Sequence, residues 1–240
     1  MIDGKHAVVT GGSRGIGLAT ARALKARGAR VSIMSRSSHN GANDFCHVRA
    51  DVSDDRNIAE AFAACRQVNG PIAILINSAG IAQSAPFKRT DKAMWDRILA
   101  TNLTGTYACT REIIQEMLAA KWGRIINISS IAGLYGAPYI TAYAASKHGV
   151  MGLTRALAAE LDGSGVTVNV ICPGYTETGL MQQAIDTIVE RTGLSRDKAR
   201  QHLVKTNPGG RIVTAEEVAN VAVELCCGNQ NGAEIVLPAL

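Results

Sequence analysis

Residues 6–17 of the chain read HAVVTGGSRGIG, and residues 18–28 continue as LATARALKARG. The apolar run at 6–10 is typical of a short buried strand, and the segment after the glycines has the pattern of a helix. Glycines let the backbone approach a pyrophosphate, and the first turn of a helix offers it free N–H groups. We therefore predict a dinucleotide-binding strand, turn and helix. The spacing G-x-x-x-G-x-G is a variant of the usual fingerprint, and such turns also merely link strands to helices.

Six further short apolar runs follow this first strand, mostly in alternation with helix-like segments. They span residues 30–35, 45–49, 72–76, 124–128, 166–171 and 233–237. This alternation predicts an α/β fold, a Rossmann-type doubly wound parallel sheet of about seven strands flanked by helices. No linker composition interrupts the chain, so we predict a single domain over residues 1–240 with a substrate lid at about 175–211.

The composition supports this class of fold. Hydrophobic residues make up 47% and aromatic residues only 4% of the 240 residues, which predicts an aliphatic core suited to covered parallel strands. The net charge of +5 is spread along the chain, so it favours anionic ligands and gives little support to nucleic-acid binding. The cysteines show no metal-ligand spacing, and no apolar run approaches the ~18 residues of a membrane span. We expect a cytoplasmic protein without a metal site, a secretory signal or a membrane anchor.

The second strand ends in Ser35 and Arg36, near the place where NAD-selective sites carry an acidic residue. Arg36 and Arg14 could together make charge-assisted contacts with a ribose 2′-phosphate. We therefore predict a preference for NADP(H), with NAD(H) as the alternative. Either arginine could instead be a solvated surface charge.

Residues 130–147, SIAGLYGAPYITAYAASK, contain three tyrosines, of which only Tyr143 is followed four residues later by a lysine, Lys147. On a helix these two side chains share a face, and a nearby cation helps a phenol to ionise. The spacing indicates an acid/base pair. By itself it also fits a half-buried tyrosine beside a surface lysine.

Several motifs together resemble the short-chain dehydrogenase/reductase family. They are TGGSRGIG at 10–17, NSAG at 77–80, Asn102, ISS at 128–130, YAASK at 143–147 and PGYTET at 173–178. The resemblance implies a catalytic tetrad of Asn102, Ser130, Tyr143 and Lys147. In the implied mechanism Tyr143 supplies the proton, Ser130 donates a hydrogen bond, Lys147 lowers the pKa of Tyr143 and holds the nicotinamide ribose, and Asn102 positions a relay water.

The resemblance also implies the cofactor contacts. The phosphate and turn residues are Gly11, Ser13, Arg14, Ile16 and Gly17. The adenine contacts are Asp51 and Val52, and the adenosine ribose contacts are Asn77, Ala79 and Gly80. Tyr143 and Lys147 also contact the cofactor, and Pro173, Gly174 and Thr178 face the nicotinamide.

The implied substrate is a carbonyl or alcohol small molecule. Our first interpretation is reduction of a 3-oxoacyl thioester, carried on CoA or on acyl carrier protein, because the layout resembles 3-oxoacyl reductases. At the two carrier-docking positions the chain has Lys121 and Ser164, which supports docking only in part. The alternative is an NAD(H)-dependent 3-hydroxybutyrate-type or secondary-alcohol dehydrogenase. A hypothesis of another class is a catalytically silent NADP-binding regulator. The resemblance further implies a homotetramer.

The lid carries more basic than acidic residues between 184 and 211. Arg191, Arg196, Lys198, Arg200, Lys205 and Arg211 stand against Asp186, Glu190 and Asp197, a balance of six minus three. This excess could attract an anionic acyl-CoA or a carboxylate, or it could cover a solvated helical hairpin.

Overall fold

The computed structural model describes residues 1–37 and 44–238. In this part of the chain seven strands form one sheet in the order β3-β2-β1-β4-β5-β6-β7, and each neighbouring pair is parallel. The strands are His6–Thr10 (β1), Arg30–Ser35 (β2), Cys46–Arg49 (β3), Ile72–Asn77 (β4), Gly123–Ile128 (β5), Val166–Pro173 (β6) and Glu234–Leu237 (β7). The predicted doubly wound α/β sheet is confirmed.

Helices cover both faces of the sheet. They are Gly15–Ala26 (α1), Asp55–Asn69 (α2), Lys92–Leu99 (α3), Gly105–Ala119 (α4), Thr141–Glu160 (α5), Gly179–Thr192 (α6), Arg196–Thr206 (α7) and Ala215–Cys227 (α8). Within the described ranges no helix is both long and apolar enough to cross a membrane.

The core has two halves because successive side chains of a strand point to opposite faces. In β1, Ala7 and Val9 pack with α1 and α8 on one face. Val8, between them, packs on the other face with α2, α4 and the end of α5. The strand is therefore apolar throughout, as expected for a parallel strand that is buried on both sides.

The strand order reverses between β1 and β4. From β1 the chain adds β2 and β3 on one side, then returns to pair β4 with the other side of β1. Ligands of open α/β sheets bind in the crevice at such a switch point, outside the carboxyl ends of the strands. The glycine turn follows β1 at this edge, so the fold positions it for ligand binding.

Two irregular segments complete the frame around this edge. Between α3 and α4 the helix widens into a π-helical turn, Ala100–Thr104, which contains the buried Asn102. After β6 the chain forms α6 and α7, which pack on each other through a small apolar cluster that includes Met181 and Leu203. Thr176 and Val213 then form a parallel bridge, which closes this excursion at its base.

Candidate active site

A cavity of about 1510 Å³ lies at the carboxyl ends of the central strands. A drug-sized ligand typically occupies ~300–1,000 Å³, so this cavity has room for a dinucleotide and a second molecule. Most residues predicted for the site line it: Gly11, Ser13, Arg14, Ile16, Gly17, Arg36, Asp51, Val52, Ala79, Gly80, Ser130, Tyr143, Lys147, Pro173, Gly174 and Thr178. The structure places Asn77 and Asn102 elsewhere, buried outside the cavity lining.

The glycine turn packs too closely for side chains. A Cβ on Gly17 would lie 2.4 Å from the carbonyl oxygen of Gly11, and a Cβ on Gly11 would lie 2.9 Å from the backbone of Ala79. Gly11 also has φ of +67°, which favours glycine. Among the described residues no side chain caps α1 at its N-cap Arg14, so the helix presents its first amides to the cavity. This cradle suits a pyrophosphate.

Tyr143 and Ser130 line the same cavity and lie within hydrogen-bond distance of each other. Ser130 is the N-cap of the short 3₁₀ turn Ile131–Gly133, where its Oγ accepts a bond from the amide of Ala132 at 3.1 Å and keeps its hydrogen for donation. Burial raises the pKa of the Tyr143 phenol, and the nearby Tyr175 adds to this rise, while a hydrogen bond with Ser130 opposes it. The phenol therefore stays protonated at neutral pH, the state that a proton donor requires.

Lys147 is buried one helical turn after Tyr143. Its Nζ donates a hydrogen bond of 2.8 Å to the carbonyl oxygen of Ile128 and lies 5.8 Å from the centre of the Tyr143 ring. Burial lowers the pKa of this lysine to about 8, and Cys172 acts in the opposite direction. We expected the lysine to lower the pKa of Tyr143, but the net direction is a rise, because burial opposes both charged forms.

Asn102 ties the loop after β4 to α5. Its Oδ1 accepts a bond from the amide of Ile81, and its Nδ2 donates to the carbonyl oxygen of the same residue, both at 2.9 Å. The same Nδ2 donates to Ser146 Oγ at 3.0 Å, and Ser146 Oγ donates to the carbonyl oxygen of Tyr143 at 2.7 Å. Asn102 thus reaches the backbone of the predicted acid through one intermediate hydroxyl.

Gly80 leaves a small space between two members of the predicted tetrad. A Cβ at this position would lie 3.4 Å from Asn102 Oδ1 and 3.8 Å from Lys147 Nζ. Both polar groups therefore border one gap, although Asn102 does not line the main cavity.

The family model described as short chain dehydrogenase matches residues 5–189 of the chain. The chain belongs to the short-chain dehydrogenase family. It is therefore an oxidoreductase that interconverts CH–OH and C=O groups with a nicotinamide cofactor.

Relatives of this short-chain dehydrogenase carry different names. D-beta-hydroxybutyrate dehydrogenase of Rhizobium meliloti is 36% identical over 234 residues, which cover 92% of this chain and 91% of the relative. A 3-oxoacyl-(acyl-carrier-protein) reductase of Mycobacterium tuberculosis is 35% identical over 217 residues, 90% and 83% of the two chains. A crystal structure of an actinorhodin polyketide ketoreductase variant with NADPH superimposes with a TM-score of 0.92 at 30% identity, covering 99% of this chain and 97% of that chain.

Two arginines and one carboxylate line the cavity near the carboxyl ends of β1, β2 and β3. Arg14 and the exposed Arg36 both line it, so the structure brings the two predicted phosphate-binding arginines to one cavity. Burial acts to raise the pKa of Asp51, but hydrogen bonds from Ser53 and the charge of Arg36 lower it below its ordinary value. Asp51 is therefore ionised, with its carboxylate held by the Ser53 amide at 2.9 Å and the Ser53 hydroxyl at 2.7 Å.

Asn77 belongs to a polar cluster behind the cavity wall. Its Nδ2 donates to Thr110 Oγ1 at 3.1 Å and to Asn127 Oδ1 at 2.9 Å, and Asn127 in turn donates to Thr154 Oγ1. The cluster links β4 and β5 to α4 and α5. The Asn77 side chain is thus engaged inside the fold, and the contact predicted between this residue and the cofactor ribose stays a prediction.

Thr10 is a positioning residue that the sequence did not single out. Its Oγ1 accepts bonds from the amides of Ser78 and Ala79, both at 3.1 Å. The last residue of β1 thereby fixes the backbone after β4, against which Gly11 packs. The sequence signal that could have identified Thr10 is its hydroxyl at the end of the first strand, directly before the glycines.

Asn207 is a second residue of this kind, at the end of α7. Its Oδ1 accepts the Tyr175 amide at 2.7 Å, and its Nδ2 donates to the carbonyl oxygens of Tyr175 and Arg211 at 3.3 and 2.6 Å. A Cβ at Gly174 would lie 2.1 Å from Asn207 Oδ1, so this clamp requires glycine there. The segment predicted as a lid is thus anchored to the turn that carries Pro173.

Three of the six cations counted in the lid form ion pairs, two with acids of the lid and one with an acid of α8. Arg196 pairs with Asp186, Arg200 with Glu177 at 3.5 Å, and Arg211 with Glu217 at 2.6 Å. Of the six lid cations counted from the sequence, Arg191 is the one that lines the cavity. This distribution favours the solvated hairpin over a generally basic lid.

Proposed function

We propose that this enzyme reduces 3-oxoacyl thioesters with NADPH. The observation that carries the proposal is the protonated Tyr143 phenol beside the Ser130 hydroxyl, on the cavity that Arg14 and Arg36 also line. A protonated phenol can give its proton to the oxygen of a substrate carbonyl, as reduction requires, whereas oxidation requires the phenolate. Relatives of this chain are named 3-oxoacyl-(acyl-carrier-protein) reductases, and these names support our choice of a 3-oxoacyl substrate.

The proposed roles follow from the positions of the side chains. The nicotinamide cofactor, when bound, supplies the hydride. Ser130 and Tyr143 donate hydrogen bonds to the substrate carbonyl oxygen, where negative charge develops, and Tyr143 then transfers its proton to that oxygen. Lys147 stabilises this charge and holds the nicotinamide ribose. A water in the gap beside Gly80 would contact Lys147 and Asn102 and could return the proton.

The cofactor preference can be tested at Arg36. A 2′-phosphate contact with an arginine contributes about 1.5–3 kcal/mol, a factor of roughly 10–100 in binding. We expect Arg36→Asp to lower the NADPH to NADH ratio of kcat/KM by at least this factor. Arg27→Asp makes the same charge change at the end of α1, outside the cavity lining, and serves as the control. A strong preference of the unmodified enzyme for NADH would contradict the proposal.

The second candidate function is oxidation of a 3-hydroxybutyrate-type or secondary alcohol with NAD. It is favoured by the D-beta-hydroxybutyrate dehydrogenases among the relatives. A panel of 3-oxoacyl thioesters, small ketones and hydroxy acids, assayed with both cofactors, separates the two. Faster turnover of a hydroxy acid with NAD than of any thioester with NADPH would establish the second function.

A catalytically silent NADP-binding regulator is the remaining alternative. The described geometry brings Ser130, Tyr143 and Lys147 to one cavity and places Asn102 directly behind them. We expect Tyr143→Phe to reduce carbonyl reduction by about 10²–10⁴-fold, because it removes the proton donor and one hydroxyl. Cofactor binding, followed by nucleotide fluorescence, should fall far less. Unchanged reduction would remove Tyr143 from the role of acid.

We further propose one domain over residues 1–240, with 175–211 as the lid, in a cytoplasmic homotetramer. The anchored α6–α7 segment supports the lid, because several of its residues, such as Met181 and Leu203, line the cavity. The tetramer is supported by the family resemblance. Light scattering on the purified enzyme measures the mass of the assembly, and a monomer would contradict it.

A further inference from the structure

A loop with two cations and an exposed aromatic ring forms one wall of the cavity. The short 3₁₀ turn Phe87–Arg89 lies between β4 and α3. Lys88 and Arg89 line the cavity and are exposed, and within the described residues neither has a carboxylate partner. Phe87, beside them, is 76% exposed. Nothing in the proposed carbonyl chemistry uses these three side chains.

The lid contributes a third cation to the same region. Arg191 of α6 lines the cavity, and its Nη2 donates a 3.0 Å hydrogen bond to the carbonyl oxygen of Ser84, in the loop that leads to the turn. The remaining guanidinium N–H groups are free to serve a ligand. Glu190 is an acid that lines this side of the cavity, so the local balance is three cations against one carboxylate. The cavity is therefore basic where the lid meets the loop.

The chemistry of this wall matches a nucleotide that carries several phosphates. Arginine and lysine bind phosphate oxygens through charge-assisted hydrogen bonds, and an exposed aromatic ring offers a surface on which a base can stack. The cations are exposed, whereas Lys147 beside the reaction centre is buried. A ligand that reaches both must be long, with its charge at the end remote from the carbonyl.

An acidic carrier protein is the competing occupant, and the structure does not place its expected contacts here. Lys121 lies two residues before β5, and Ser164 lies two residues before β6. Both therefore lie at the amino ends of the strands, the edge of the sheet opposite the cavity. Lys88 and Arg89 line the cavity itself, and the exposed Phe87 directly precedes them in the chain.

We propose that Phe87, Lys88, Arg89 and Arg191 bind the phosphorylated adenosine of a coenzyme A thioester. The inference rests on the proposed reduction of 3-oxoacyl thioesters and identifies the carrier of the acyl group. Lys88, Arg89 and Arg191 bind phosphates, Phe87 stacks on the adenine, and the pantetheine arm extends to Ser130 and Tyr143. The site thus selects the carrier, while the hydroxyls carry out the chemistry.

The test compares two substrates with the same reacting carbonyl. 3-Oxobutanoyl-CoA carries the nucleotide, and the 3-oxobutanoyl thioester of N-acetylcysteamine lacks it. The purified full-length enzyme and the double variant Lys88→Ala/Arg89→Ala are assayed with both at saturating NADPH. We expect KM for the CoA ester to rise by about 10–100-fold in the double variant, with a change below about two-fold for the short thioester. Phe87→Ala should raise KM for the CoA ester alone, by a smaller factor.

Lys92→Ala is the matched control, because Lys92 is exposed on α3, pairs with Asp96 and does not line the cavity. It should leave both KM values unchanged. An equal change for the two thioesters in the double variant, or no change for either, would overturn the site. If the double variant lost activity only with thioesters of an acidic carrier protein, the assignment to CoA would be overturned.

Binding of free CoA, measured by calorimetry, separates this site from the proposed reaction. If neither thioester is reduced by the unmodified enzyme, the proposed function fails. Binding of CoA that the double variant loses would still support the nucleotide site, and no binding to the unmodified enzyme would overturn it.

Discussion

Polar groups have different partners at the amino ends and at the carboxyl ends of the strands. At the amino ends of the strands, His6 Nδ1 bonds the carbonyl oxygen of Gly70 at 2.7 Å and its Nε2 bonds Ser32 Oγ at 2.9 Å. At the carboxyl ends, the amides of the glycine turn and the Ser130 and Tyr143 hydroxyls border a large cavity. One edge binds its polar groups to each other, and the other directs them to a ligand.

The amino edge also holds a buried cation, Arg124, for which the described part of the chain provides no carboxylate partner. Arg124 is 4% exposed, and its guanidinium donates to the carbonyl oxygens of Gly228 and Gly165 and to Asn229 Oδ1, at 2.8–3.2 Å. The group also lies 4.5 Å from the centre of the Trp122 ring. Arg124 therefore joins the end of α8 to the starts of β5 and β6.

The buried cation of the carboxyl edge has fewer partners. Lys147 bonds one carbonyl oxygen, that of Ile128, and burial lowers its pKa to about 8. Such a cation costs stability, because the folded state disfavours the charge that the unfolded chain keeps. Burial lowers the pKa of Arg124 as well, so the two cations differ in how many acceptors they bond and not in the direction of this shift. We infer that the cation with several acceptors joins elements of the fold, whereas the cation with one acceptor is retained for function. Three substitutions test this difference.

The largest effect should come from Lys147→Met. Reduction should fall by about 10²–10⁴-fold, because the charge near Tyr143 and the cofactor is lost. At pH 7 the variant should nevertheless be more stable by about 1–2 kcal/mol, because a buried cation with a lowered pKa is replaced by an apolar side chain of similar length. Assays and thermal unfolding measure the two quantities. Lys198→Met on exposed α7 is the control and should change neither. A destabilised Lys147→Met variant would contradict the contrast.

Arg124→Leu should have the opposite outcome. Four acceptors would lose their donor, namely the carbonyl oxygens of Gly123, Gly165 and Gly228 and Asn229 Oδ1, most of them only partly buried. We therefore expect the free energy of unfolding to fall by about 1–3 kcal/mol. The turnover number per folded molecule should not change, because this edge lies away from the cavity. Urea unfolding and active-site titration measure the two values. Arg155→Leu, which removes an exposed pair with Glu234, should have a much smaller effect. Loss of turnover in folded Arg124→Leu would show that the edges are coupled.

The smallest effect concerns pH and His6. Burial lowers the pKa of this imidazole, and the backbone hydrogen bond to Gly70 opposes the shift only in part. As pH falls through the ordinary value near 6.5, the unfolded chain binds a proton that the folded state resists, so stability decreases below that pH. His6→Gln keeps hydrogen-bonding groups without this proton uptake. Its urea midpoint should therefore fall less between pH 7 and pH 5 than that of the unmodified protein. Parallel pH curves would contradict the assignment.

Much of the fold follows from local pattern. The strand and helix at 6–26 are readable because apolar periodicity and glycine chemistry act over a few residues. The pairing of Tyr143 with Lys147 is likewise a consequence of helix spacing. The sequence did not indicate that the Asn77 side chain bonds Asn127, which in turn bonds Thr154. These hydrogen-bond partners lie far apart along the chain.

The charges of the lid show the same limit. Counting residues suggested a basic lid, whereas Arg196, Arg200 and Arg211 are neutralised by acids whose distance depends on helix packing. Near Arg191 the cavity is also lined by Lys88 and Arg89, which come from a different segment. A sum over one segment cannot identify neighbours across a cavity.

The sequence by itself determined the α/β fold and the order of its elements, and it led us to predict the acid, the hydroxyl and the lysine. The fold follows from residue type and short-range spacing, and the site prediction follows from the family resemblance together with the helix spacing of Tyr143 and Lys147. Only the tertiary structure decided that the Tyr143 pKa is raised, that Asn102 bonds Ser146, and that Lys88, Arg89 and Arg191 line one cavity. Burial and long-range contacts set these properties, because they depend on which distant segments the sheet brings together.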